Sequence, residues 1–417
     1  MSFLKSFSVY GLTNIFGKGL TFLLAIVLTH KLSPEDFGIY ALFTLVLAFA
    51  FPLVHLGVTS SYEVEFYKLE KEELGSYLVS SLVNPFFVFL GMTAMIVLLI
   101  EPLSVFTGVP RKWLLVIPFI SFLKIIPATT AALFRAMKRP WKHALLNSLL
   151  SLTLFALTLA FIVYYGMNWQ GRAYAIMFSQ GLFFLMCIAT LYVRGALRFS
   201  IKKKYKTNAL KFGLPLVPFI VGAIVVDISD RLFIASLVNM EQVGIYNIGY
   251  KVGAMVGLLQ TAFLNAWNPF LYERLTANTS KDKARVVKYI YLFALSSLLF
   301  TIMLKILSPL LFNHIVAIEY QAGVDFVFWV ALGYMFLSLY NLLSGFILYA
   351  KKNILLSYLA VLSVSLNLFL NYWLILTYGA IGAAYATLIS FFILFIILFV
   401  IVIRLYDLPW LSFFKIK

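Results

Sequence analysis

Acidic residues and cysteine are what this chain of 417 residues most lacks. Sixteen Asp and Glu stand against 33 Lys and Arg, charged residues of all kinds make up 12% of the chain, and the mean hydropathy is +0.97. Soluble domains carry roughly 25% charged residues, so this chain has too few to cover a water-facing surface and reads as an all-α polytopic membrane protein. A single cysteine, Cys187, excludes an intramolecular disulfide and a cysteine-based metal centre. The four histidines, His30, His55, His143 and His314, follow no ligand spacing, so no metal is expected. There is no phosphate-binding Gly-Lys loop, no HExxH, no nucleophile elbow and no polar stretch long enough for an ATPase. The expectation is a protein that is not an enzyme and has no cofactor. Its energy source would be an ion gradient, the membrane potential or the substrate's own gradient.

What the chain has in abundance is long apolar runs. At about 20 residues per crossing they divide into about twelve transmembrane helices. The expected spans are 8–29, 38–58, 77–100, 113–134, 141–165, 171–193, 213–238, 243–267, 286–311, 322–348, 354–378 and 380–403. The first run follows Lys5 but is too long for a signal-peptide core and is followed by no small-x-small site, so it reads as a retained helix. With the N-terminus inside, 24 Lys and Arg collect on the cytoplasmic side and only Lys31, Arg111, Lys112 and Arg172 on the other. This asymmetry places both termini in the cytoplasm. The formal charge of +17 is then a topology signal and not a sign of nucleic-acid binding. The basic stretch from Arg194 to Lys211 is suited to contact with anionic membrane lipids.

The chain also repeats itself. Leu32-Ser33-Pro34-Glu35-Asp36-Phe37-Gly38-Ile39-Tyr40 matches Val238-Asn239-Met240-Glu241-Gln242-Val243-Gly244-Ile245-Tyr246 at an offset of 206. A fainter echo pairs Gly171-Arg172-Ala173-Tyr174-Ala175 with Gly382-Ala383-Ala384-Tyr385-Ala386 at an offset of 211. Six crossings per unit give both halves the same polarity, hence two parallel six-helix lobes: 1–193, a basic linker 194–211, and 212–417. Such repeats in transporters place the substrate site at their interface near the midplane.

Charges inside the spans are the candidates for that site, since each costs at least about 2.5 to 3.5 kcal/mol at bilayer depth. Asn14, Lys18, Thr21, Ala25 and Thr29 share about 80° of arc on the first helix, which reads as a packing seam with a snorkelling lysine or as a cavity wall. The mid-span depth of Lys18 favours the cavity. Asp227 and Arg231 are i, i+4 partners, either a packing ion pair or part of a coupling site. Asp230 lies on a neighbouring face, where it would hold a cation or a proton. Asn247 and Lys251 share a face of the eighth span, and Lys124 lies between Pro118 and Pro127 in the fourth. Lys305 lies near a span end and suits snorkelling. Asn341, Ser344, Ser363, Asn367 and Asn371 form a polar stripe suited to interhelical hydrogen bonds or to sugar hydroxyls. Pro215 and Pro218 mark an expected kink. Deep cations suit a diphosphate, whereas a drug exporter would be expected to present carboxylates.

The Leu-Ser-Pro-Glu-Asp-Phe-Gly-Ile-Tyr turn, the run KFGLPLVP from Lys211 to Pro218, Asp230-Arg231-Leu232-Phe233-Ile234, and the Glu-Gln-Val-Gly-Ile-Tyr turn with Lys251 after it carry a resemblance over the whole chain. It resembles the polysaccharide-biosynthesis branch, the O-antigen and exopolysaccharide flippases, of the multidrug/oligosaccharidyl-lipid/polysaccharide exporter superfamily. The resemblance implies two lobes in a V, alternating access, and passage of an undecaprenyl-diphosphate-linked oligosaccharide across the bacterial inner membrane. Lys18, Lys124, Lys251, Arg231, Asn14 and Asn247 are the expected substrate-binding set, and Asp227 and Asp230 the coupling or structural ion-pair residues. Expected partners are the lipid-linked oligosaccharide, membrane lipids, a polysaccharide polymerase and an H+ or Na+ gradient, with no nucleic acid. The alternatives are a cation-coupled multidrug or metabolite exporter of the same superfamily and a scaffold for glycan polymerisation. A central cleft would require Asp230 or Arg231 to face it.

Overall fold

A computed structural model describes residues 3–350 and 352–410; some side chains within helices, among them Asn14 and Asp227, also lie outside the described residues. No strand occurs among the described residues, which form seventeen α-helices. The first ten are α1 (Phe3–Thr29), α2 (Pro34–His55), α3 (Val58–Glu65), α4 (Lys71–Leu98), α5 (Ile100–Thr107), α6 (Arg111–Leu123), α7 (Ile125–Ala136), α8 (Pro140–Leu159), α9 (Trp169–Val193) and α10 (Lys203–Gly213). They are followed by α11 (Leu216–Leu237), α12 (Met240–Gly253), α13 (Val256–Ala277), α14 (Ser280–Ile315), α15 (Val324–Tyr349), α16 (Asn353–Tyr378) and α17 (Ile381–Leu405). Among the described residues nine helical segments are long and apolar enough to cross a membrane. Each of the twelve expected spans falls on one of these helices or on a pair interrupted by a single break.

The repeated turns start their helices in the same way. Ser33 caps α2 by accepting the Asp36 N–H, and Asn239, 206 positions later, caps α12 by accepting the Gln242 N–H at 2.8 Å. A side-chain oxygen at this position satisfies one of the amides that a helix start leaves unbonded. The tyrosines that close the two motifs, Tyr40 and Tyr246, are both buried.

Two breaks fall at or near lysines. The fourth expected span parts into α6 and α7 at Lys124, where Pro127 removes the N–H that would bond back to Leu123. The eighth parts into α12 and α13 at Ala254 and Met255, with Lys251 in the last turn of α12. Both lysines therefore stand where a helix ends and its partial negative charge favours a cation. The expected kink around Pro215 is a full interruption between α10 and α11. The tight hairpin from α16 to α17 turns on Gly379 at φ +70°, a conformation that a side chain would strain.

Contacts divide the chain into two compact units, residues 1–228 and 229–417. In the first, the basic linker is not a free tether. Its helix α10 packs on α3 and α4, and Tyr205 and Ala209 enter a core with Tyr62, Tyr77, Leu133 and Leu191. In the second, α15 packs against α12, α14 and α17, and α16 against α17. Gly249 brings α12 against the Gly323 carbonyl so closely that a Cβ would collide with it. Large apolar side chains such as Leu98, Val105, Val193 and Ile306 are exposed, as a lipid-facing surface requires.

Candidate functional site

The second unit encloses a polar cluster. Asp230 and Arg231 on α11 are 2% and 3% exposed. One carboxylate oxygen of Asp230 accepts from Tyr246 Oη on α12 at 2.6 Å and from Thr387 Oγ1 on α17 at 3.2 Å; the other accepts from Asn371 Nδ2 on α16 at 2.8 Å. Arg231 Nη1 lies 4.0 Å from the same carboxylate, and its Nη2 donates to Asn247 Oδ1 at 3.4 Å. The guanidinium stands over the Tyr250 ring, 3.8 Å from its centre, and the Tyr250 and Tyr334 hydroxyls share a hydrogen bond of 2.6 Å. Ser229 Oγ donates to Asn367 Oδ1 at 2.8 Å, and Asn371 Nδ2 also reaches Asn367 Oδ1 at 3.0 Å. This leaves Asn367 Nδ2 and Asn371 Oδ1 without hydrogen-bond partners among the described residues. Adjacent opposite charges, three donors to the carboxylate and two unfulfilled amides make a site that is neutral overall and rich in oxygen.

Asp230 and Arg231 are both buried, and the carboxylate takes hydrogen bonds from residues of α12, α16 and α17 within the second unit, where hydroxyl and amide side chains close over charges that hydrocarbon would not solvate. Asp227 was the expected ion-pair partner of Arg231, but its side chain lies outside the described residues, as does that of Asn14. Lys251 is half-buried, and Asn247 is buried against Arg231.

In the first unit, Lys18 is exposed on α1 and Lys124 is half-buried. Lys124 Nζ stands over the Phe51 ring at 4.5 Å. One turn along, His55 closes α2: its Nδ1 lies 3.2 Å from the Gly57 N–H, and its Nε2 lies 3.0 Å from the Thr59 N–H and 2.6 Å from Thr59 Oγ1. No carboxylate among the described residues lies within 4.0 Å of Lys18 or Lys124. The expected site residues thus lie in two separate settings, Lys18 and Lys124 in the first unit and Arg231, Asp230, Asn247 and Lys251 in the second.

Sequence reasoning did not foresee the parts played by Tyr246, Thr387 and Arg172. Tyr246 was visible as a repeat residue, and the i, i+4 pair Asn367 and Asn371 advertised a polar face. Nothing local marked Thr387. Arg172 counted only as an outer charge, yet it is 7% exposed and lines a cavity.

The described residues form an all-helical, multi-pass membrane protein with buried polar groups inside each of two units. The fold is similar to that of an inward-facing multidrug resistance MATE family transporter of the MOP superfamily, with a TM-score of 0.74 and 14% identity, covering 93% of this chain and 94% of that chain. It is equally similar to the lipid II flippase MurJ in an inward closed conformation, with a TM-score of 0.73 and 18% identity, covering 94% and 86%. "Lsg locus putative protein 1" of Haemophilus influenzae is 24% identical over 373 residues, which is 87% of this chain and 89% of that protein. Residues 3–275 match the model of the polysaccharide biosynthesis protein family, and the chain belongs to that family.

Proposed function

We propose that this protein carries an undecaprenyl-diphosphate-linked oligosaccharide from the cytoplasmic to the outer leaflet of the bacterial inner membrane, for assembly of a surface polysaccharide. It is a transporter without catalytic residues, both termini are cytoplasmic, and it works by alternating access. The observation that carries the reading is the pair of cations Lys18 and Lys124, set in apolar helices with no carboxylate among the described residues within 4.0 Å, in a chain of the polysaccharide biosynthesis family. A diphosphate supplies the missing negative charge, and in a low-dielectric setting such charge-assisted bonds are strong. Lysine offers a point charge on a flexible stem, suited to a headgroup that must be held and then released. Lys251 and Arg231, with Asn14 and Asn247, complete the substrate set. Asp230, with Asp227, is the coupling group for an H+ or Na+ gradient. Membrane lipids and a polysaccharide polymerase are its partners.

The test is transport of a labelled polyprenyl-diphosphate sugar in vesicles carrying the wild type, Lys18→Ala, Lys124→Ala or Lys251→Ala. Each variant should reach wild-type membrane levels and lose most transport. Normal transport by all three would refute the cationic site. The second reading, a cation-coupled multidrug or metabolite exporter, draws on the likeness to the MATE fold. It predicts protection against cationic drugs on overexpression and no transport of the lipid-linked sugar.

A further inference from the structure

The first unit holds a charge that the mechanism above does not use. Arg172, in the first turn of α9, is 7% exposed. Its Nη1 donates to Thr158 Oγ1 at 2.6 Å, and its guanidinium carbon lies 5.8 Å from the centre of the Tyr40 ring. Among the described residues its Nε has no hydrogen-bond partner and no carboxylate lies within 4.0 Å. Guanidinium keeps its charge at any physiological pH and offers five donors, of which one is engaged here. A buried cation left this way is costly unless something else completes it.

The repeat shows what is missing. In the second unit Arg231 lies beside Tyr246, 5.3 Å from the ring centre, as Arg172 lies beside Tyr40, and Tyr40 and Tyr246 are repeat counterparts. Arg231 is balanced by Asp230, but the residue 206 positions before Asp230 is Leu24. At the offset of 211, Asn367, Asn371 and Thr387 correspond to Ala156, Ala160 and Ile176. The first unit therefore has the arginine without the acid or the amides around it. Beside Arg172 instead is a cavity of about 250 Å³ including its open mouth, lined also by Gly17, Thr21, Leu24, Ser151 and Phe155 between α1 and α8. The space beside the guanidinium has room for water or a small oxyanion.

We propose that this cavity is an anion site, in which Arg172 donates to an oxygen of a phosphate or carboxylate group and the Ser151 hydroxyl adds a donor. Its lining includes none of Lys18, Lys124 and Lys251. That the anion belongs to the transported lipid, as its diphosphate or as an acidic sugar, rests on the proposed flippase function; the anion chemistry does not.

The full chain in nanodiscs of zwitterionic lipid is titrated with inorganic diphosphate and with glucuronate, against sodium chloride at matched ionic strength, and binding is followed by intrinsic fluorescence, Trp169 being three residues from Arg172. The expected result is saturable binding of one of the two, weakened at least tenfold in Arg172→Gln and retained when Lys18, Lys124 and Lys251 are all changed to Gln. Tighter diphosphate binding identifies a lipid phosphate as the ligand, and tighter glucuronate binding an acidic sugar. Without anion, Arg172→Gln should melt no lower than the wild type, since an uncompensated charge is removed; an arginine serving only packing would give a lower melting temperature. Ser151→Leu, which fills the cavity and leaves Arg172 in place, should abolish binding and serves if Arg172→Gln does not fold. Absence of binding by either anion, or binding unchanged in both Arg172→Gln and Ser151→Leu, overturns the site. Binding lost only in the triple lysine variant overturns it too, while leaving the flippase reading intact.

Discussion

Replacing Asp230 by Asn tests the most tightly built part of the molecule. The side chain is 2% exposed, accepts hydrogen bonds from three helices, and stands 4.0 Å from Arg231, which is itself 3% exposed. Asn keeps the shape but removes the negative charge, and its amide group turns two donors towards hydroxyls that had been donating. Removing one member of a buried ion pair costs about 3 to 5 kcal/mol, because the other charge is left uncompensated. For a unit of 150–250 residues, each kcal/mol lowers the melting temperature by about 2 to 4 °C, so a fall of roughly 6 to 20 °C is expected. The assay is fluorescence-monitored thermal unfolding of the purified full chain. The double variant Asp230→Asn with Arg231→Met should recover most of the loss, since a buried pair replaced together by uncharged groups is often neutral. A single variant that melts within 2 °C of wild type, or a double variant that melts as low as the single one, would show that the cluster does not hold the unit together through charge balance.

Three further outcomes follow from the fold. Ser33→Ala and Asn239→Ala each remove an equivalent cap and should each destabilise by about 1 kcal/mol, measured as similar falls in melting temperature. If one is silent, the two turns are not equivalent. Gly249→Val drives a side chain into the Gly323 carbonyl and should cost about 1 to 3 kcal/mol or abolish accumulation in the membrane, whereas Gly166→Ala, with nothing within 4 Å, is limited to the strain of its φ of +65°. Cys187 is the only cysteine and is buried in the core of the first unit, so a thiol-reactive dye should label it only as that unit unfolds. Rapid labelling of the native protein would contradict the packing of α9 against α7.

The kind of protein, its apolar helices and its internal repeat were legible in the sequence because each depends on local or periodic properties. A run of about 20 apolar residues is long enough to span a bilayer wherever it falls, and Ser33 and Asn239 reveal matched helix starts without reference to any distant residue. The sequence also identified Lys18, Lys124, Lys251, Asp230 and Arg231 as charges needing explanation, since hydrocarbon penalises each of them. What completes those charges was decided by tertiary structure alone. Asp230 takes its hydrogen bonds from Tyr246, Asn371 and Thr387, which are 16, 141 and 157 positions away, and no spacing rule links residues so far apart. The same distinction separates Arg172 from Arg231. Both are arginines beside a repeat tyrosine, but the order of the chain itself sets Asp230 next to Arg231, whereas only the packing of α1, α8 and α9 shows that Arg172 lines a cavity and that no carboxylate among the described residues reaches it.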